Sequence, residues 1–151
     1  MHLDLWRLWI MKFSINGTRR GLGQALEKKY GNVDLEDCDV FINCKHDGFS
    51  QVDLLYKAAE LNKRIINIGS NSPDQDKKIP WKYAVQKAAL DKANEQLFYQ
   101  GVNTTIVRFG YFDSPRVEFI DAKKMSIDYC VGVIGWVLRQ PHRVKDITVV
   151  P

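Results

Sequence analysis

The chain has 151 residues, 45% of them hydrophobic and 26% charged, which fits one soluble globular domain around one sizeable core. Its net charge of +4 arises from 22 basic and 18 acidic residues with no basic run longer than two, so it lacks the clustered stripe of a nucleic-acid footprint and points at most to an anionic ligand. The three cysteines, Cys38, Cys44 and Cys130, are odd in number and lack metal-ligand spacing, which argues against a disulfide scaffold or zinc site and for reduced thiols in a cytoplasm.

Residues 1–10 are apolar and Trp-rich, but Asp4 and Arg7 break the run and it is too short for a signal peptide or membrane span. They read as an N-terminal extension, either an upstream-start segment or an interfacial arm, ahead of one compact domain over residues 11–151. No later stretch reaches membrane-spanning length. Residues 12–16 read as a strand, followed by the glycine loop Gly17-Thr18-Arg19-Arg20-Gly21-Leu22-Gly23 and a helix to about Tyr30, with Leu22, Ala25, Leu26 and Tyr30 on one face. Residues 39–43 form a second buried strand. A helix over 49–62 turns Val52, Leu55 and Ala59 to the core, and a third strand over 64–68 ends at Gly69-Ser70. A polar loop covers 71–80. A long helix over 82–100 is closed by Gly101, and strand 102–109, helix 126–139 and an edge strand over 147–150 complete the chain. This alternation predicts an α/β fold with a mostly parallel sheet of about five strands.

Three features carry chemistry. The glycine loop stands between a strand and a helix, where glycines let the backbone approach a phosphate and the helix N-terminus offers unpaired N–H groups. Arg19 and Arg20 inside it are either two solvated charges or contacts to an additional phosphate. Tyr83 and Lys87 are one helical turn apart, and an ammonium beside a phenol favours phenolate, which makes Tyr83 a candidate proton donor to a carbonyl. Ser70 ends a strand at the carboxyl edge of the sheet, where such folds place ligands, and its hydroxyl could hold a carbonyl oxygen beside Tyr83. His46 and Asp47 follow the second strand at the ligand edge of the sheet and read either as part of that edge or as a turn. Trp81 lines a substrate pocket or packs the helix start.

These motifs together resemble the short-chain dehydrogenase/reductase family. Residues 15–23 resemble its T-G-x-x-x-G-x-G cofactor loop, Asn67-Ile68-Gly69-Ser70 its serine strand, and Tyr83 with Lys87 its Y-x-x-x-K pair at the expected spacing from Ser70. Val33-Asp34-Leu35 resembles the family's D-V segment near adenine, Phe41-Ile42-Asn43-Cys44 its N-N-A-G strand end, and residues 107–110, ending at Gly110, its P-G segment beside the nicotinamide. The resemblance implies a Rossmann-like three-layer fold in an unusually short member. It implies hydride transfer between NADP(H), with NAD(H) as the alternative, and a small carbonyl or alcohol substrate. Tyr83 would be the acid/base, Ser70 would position the carbonyl, and Lys87 would hold the nicotinamide ribose. Gly17, Thr18, Arg19, Arg20, Gly21, Leu22, Gly23, Asn43 and Gly110 would line the cofactor site, with Arg20 favouring NADP. It also implies a homodimer or homotetramer, with no nucleic-acid or membrane partner. The stretch between Gly23 and Cys38 is too short for the strand and helices that build the adenosine side of such a site. A non-catalytic nucleotide-binding module or sensor of the same fold is therefore the alternative.

Overall fold

The computed structural model describes residues 5–74 and 80–151. The first four residues of the extension and residues 75–79, half of the polar loop over 71–80, lie outside the described residues. A short helix α1 (Leu5–Ile10) leads into five strands: β1 (Phe13–Ile15), β2 (Val40–Asn43), β3 (Arg64–Ser70), β4 (Thr104–Phe109) and β5 (Asp146–Val149). They form one sheet in the order β1-β2-β3-β4-β5, and every pairing is parallel. The expected strands and helices are all present, with boundaries shifted by a residue or two.

Side-chain alternation along the strands builds two cores. Ile42, Ile66, Ile68 and Val107 face α2 (Gly21–Tyr30) and α5 (Ile127–Leu138), where they meet Leu22, Leu26, Ile134 and Leu138. Phe41, Ile65 and Ile106 face α3 (Ser50–Glu60) and α4 (Lys82–Tyr99), where they meet Leu55, Leu90 and Leu97. The result is a three-layer sandwich. Ser126 caps α5 by accepting a hydrogen bond from the Tyr129 amide at 3.1 Å, and the Arg64 guanidinium donates to the carbonyls of Val137 and Leu138 at its other end. No helix among the described residues is long and apolar enough to cross a membrane.

Each crossover moves one strand onward in the same direction. Two crossover helices cover one face of the sheet and two the other, so the four connections cannot share one hand. Right-handed crossovers on one face oblige left-handed ones on the other. The β1–α2–β2 unit is thus opposite in hand to the two central units.

A ladder of side-chain amides ties the strands together on the α3/α4 face. Asn16 donates to Asn43 Oδ1 at 3.2 Å, Asn43 to Asn67 Oδ1 at 3.0 Å, and Asn67 to both Asn94 Oδ1 and Thr104 Oγ1 at 3.1 Å. Asn94 continues the run to the carbonyl of Lys145 at 3.0 Å. Each buried amide is satisfied by the next, so the polar row costs little and fixes which residues lie beside one another at the strand ends. Helix α3 is rotated slightly from the expected face. Gln51, Leu55 and Ala58 are buried, with Val52 and Ala59 at the margin, because Gln51 is drawn inward by polar partners at the end of β2 and β3.

Candidate functional site

The glycine loop leaves the carboxyl end of β1 and turns into α2 beside the end of β2. Gly17 has φ 69°, a conformation that favours glycine, and any Cβ there would press on the backbone of Lys45 at 3.2 Å. Gly23 is packed more tightly still, since a Cβ would lie 1.9 Å from the Gly17 carbonyl oxygen. The first turn of α2 therefore sits directly on the loop. Asn16 fastens the opposite wall by accepting hydrogen bonds from the amides of Cys44 at 2.5 Å and Lys45 at 2.7 Å. These constraints open a cleft of about 770 Å³ lined by all seven loop residues, by Cys44, Lys45 and His46 after β2, and by Phe112, Ser114, Pro115 and Arg116 after β4. Arg19, Arg20, Lys45 and Arg116 bring positive charge to its walls, and none of its lining residues is acidic.

A second cavity of about 360 Å³ adjoins the cleft and shares Phe112, Ser114 and Arg116 with it. Ser70, Tyr83, Trp81, Gly110 and Tyr111 stand in its wall. Ser70 arrives at the end of β3, and its hydroxyl accepts from the Ser72 amide at 3.0 Å, which fixes its rotamer. Tyr83 projects from the first turn of α4. Its ring packs against His46, with centroids 4.7 Å apart, and against Trp81 at 5.7 Å. Burial, followed by the nearby charges of Lys87 and Arg116, pushes His46 below its usual pKa, so a neutral imidazole faces the phenol.

Lys87 lies behind this wall. Its ammonium donates to Gln51 Oε1 at 2.9 Å and to the carbonyl of Ile68 at 3.2 Å, and stands 5.7 Å from the centre of the Tyr83 ring. The side chain is only 3% exposed, and it borders neither cavity. Burial pushes its pKa down to about 8, and the Arg116 charge acts in the same direction while Asp91 opposes it. Gln51 is in turn held by donating to the carbonyls of Asn43 and Ile68.

Among the residues singled out in the sequence, the structure brings Gly17, Thr18, Arg19, Arg20, Gly21, Leu22 and Gly23 into one cleft. It brings Ser70, Tyr83 and Gly110 into the adjoining cavity. Lys87 and Asn43 are not brought to either surface: both are buried in the hydrogen-bonded layer beneath it. His46 and Trp81, each open to a second reading, both pack on Tyr83. Gln51 and Arg116 escaped the sequence reading. The signal for Gln51 was a polar side chain at a core-facing helical position. Arg116, in a stretch without a motif, offered none.

No protein-family profile matches the sequence, and no curated protein does. Solved structures match it by fold. The chain is similar to a short-chain dehydrogenase from Burkholderia cenocepacia J2315 in complex with NADP, at 14% identity and a TM-score of 0.69, over 91% of this chain and 87% of that one. It is similar to an alcohol dehydrogenase from the archaeon Thermococcus sibiricus complexed with 5-hydroxy-NADP, at 15% identity and a TM-score of 0.69, over 92% and 96%. A 4-hydroxyisoleucine dehydrogenase complexed with NADH aligns at 14% identity and a TM-score of 0.66, over 93% and 96%. The chain has the Rossmann-like fold of the short-chain dehydrogenases.

Proposed function

We propose that this protein is an oxidoreductase that moves hydride between a nicotinamide nucleotide, NADP(H) or NAD(H), and a small carbonyl or alcohol substrate, with Tyr83 as the acid/base. The observation that carries the reading is that Ser70 and Tyr83 meet in one cavity that opens onto the glycine-loop cleft. The cleft suits the phosphate of such a nucleotide. Its glycine cradle leaves no room for a Cβ at Gly23, the start of α2 presents unpaired amides, and Arg19 and Arg20 add guanidinium donors. A bound nicotinamide would supply or accept the hydride. The chain's own residues would do the rest: Ser70 orients the substrate oxygen, and Tyr83 gives or takes its proton.

In this reading Lys87 acts through its charge, from behind the tyrosine. Its ammonium stands 5.7 Å from the centre of the Tyr83 ring, and its two acceptors keep it from reaching into the cleft. That same withdrawal favours the second reading, a nucleotide-binding module or sensor without turnover. The other expectations remain proposals of the same kind: a cytoplasmic protein, assembled as a homodimer or homotetramer, with no nucleic-acid or membrane partner.

The test is to follow NADPH and NADH absorbance against a panel of aldehydes and ketones, with Tyr83→Phe alongside. Turnover that falls by about 10²-fold or more in the variant supports the reading. Cofactor binding without turnover selects the sensor. Turnover that Tyr83→Phe leaves intact would overturn the proton-transfer role.

A further inference from the structure

We infer that the cleft grips only the nicotinamide ribose phosphate half of its nucleotide and leaves the adenosine half in solvent, so that a nicotinamide mononucleotide is as good a ligand as a dinucleotide. This rests on the nicotinamide reading above and specifies the ligand class of the same site.

The first support is topological. Dinucleotides bind across a crevice between two mononucleotide-binding halves, at the point where strand order reverses. Here the order runs from β1 to β5 without reversal, so there is one half and no switch point. The opposite hand of the β1–α2–β2 unit belongs to the same fact: α2 returns to the side of β1 that already holds the rest of the sheet.

The second support is the state of the edge where a further half would attach. β1 is an edge strand, and its free side is closed by the chain that follows α2. The Asn32 carboxamide accepts from the Ile15 amide at 2.8 Å and donates to the Ile15 carbonyl at 3.0 Å, and the Val33 amide donates to the Phe13 carbonyl at 2.8 Å. Three of the backbone groups that would pair with another strand, the Ile15 amide and carbonyl and the Phe13 carbonyl, are engaged.

The third support is the lining of the cleft. Its described walls come from the glycine loop, the segment after β2 and the segment after β4, with no residue from the connection between α2 and β2. A carboxylate that would take the hydroxyls of an adenosine ribose is therefore lacking from the wall, which carries Arg19, Arg20, Lys45 and Arg116 instead. These cations suit a phosphate. On this geometry Arg19 and Arg20 hold the phosphate next to the nicotinamide ribose, which every nicotinamide nucleotide carries, and do not read a 2′-phosphate.

The experiment is calorimetric titration of the full chain with NADH, NADPH and reduced nicotinamide mononucleotide in one buffer. The expected result is a mononucleotide Kd within tenfold of that of the better dinucleotide. A dinucleotide that binds more than tenfold tighter overturns the inference, because its adenosine half is then held, and leaves the oxidoreductase reading standing. If none of the three binds, both the inference and the nicotinamide reading fall.

Discussion

Asn32 stands beside Ile15 as a strand residue would, its Oδ1 taking the Ile15 amide at 2.8 Å and its Nδ2 serving the Ile15 carbonyl at 3.0 Å. One side chain thus does for the edge of β1 what a neighbouring strand does elsewhere, and it is steadied by donating to Glu27 at 2.9 Å. Asn32→Ala leaves two backbone groups of a buried residue without partners. The expected loss is about 1–3 kcal/mol, read from urea unfolding. Asn32→Asp should cost at least as much, because it removes the donor to Ile15 and sets a carboxylate against Glu27. Both variants expose a strand edge, so sedimentation should show more self-association than in the parent. Unchanged stability in Asn32→Ala would mean that water seals this edge as well as the carboxamide does.

The roles proposed for Tyr83 and Ser70 give a second expectation. Tyr83→Phe keeps the ring that packs on His46 and Trp81, so folding should be preserved while turnover falls by about 10²–10⁴-fold. Ser70→Ala should lower kcat by a smaller factor, since a positioning hydroxyl is lost and the acid remains. Near-ultraviolet circular dichroism checks the fold, and steady-state kinetics checks the rates.

The parts that were legible in the sequence are those written in neighbouring residues. Strand and helix periods, the glycine loop, and the offset from Ser70 to Tyr83 are local patterns, and the structure joins them at one edge of the sheet. What escaped depends on distant contacts. Asn32 reaches Ile15 across a helix, Gln51 reaches Lys87 across the sheet edge, and His46 comes from the end of β2 to pack on a ring in α4. Lys87 shows how far a motif can carry. Its spacing from Tyr83 was visible, but where its ammonium points is decided by Gln51 and the carbonyl of Ile68, which no local pattern names.

Burial of Lys87 should be visible in the pH dependence of stability. Its pKa is about 8 in the folded chain against an ordinary 10.5, so between those values the unfolded chain holds a proton that the folded chain has released. Unfolding then takes up a proton, and the contribution of Lys87 to stability rises with pH across that window. Cys44 and Cys130 act in the opposite sense, since burial raises them to about 11 and about 12 and their folded forms keep protons that the unfolded thiols lose. The difference between the parent and Lys87→Met isolates the lysine. The variant should gain stability relative to the parent below pH 8 and lose that advantage towards pH 10, measured by urea unfolding at each pH. A difference that is flat with pH would place the ammonium in water.

Arg19 and Arg20 supply the sharpest separation between two ways of holding a nucleotide. If they take a phosphate that all nicotinamide nucleotides share, Arg20→Ala should weaken NADH and NADPH by similar factors, about 3–10-fold for one exposed charge-assisted contact. The loss should shrink as salt rises, because both guanidinium and phosphate are open to solvent. If Arg20 instead reads a 2′-phosphate, NADPH alone should weaken and NADH should be unchanged. Titrations of both dinucleotides at two ionic strengths distinguish these cases, and the double variant Arg19→Ala/Arg20→Ala extends the comparison. A paired loss in NADH and NADPH would fix the guanidinium contact on the diphosphate that both nucleotides share, in the cleft around Gly17, Gly23 and Lys45.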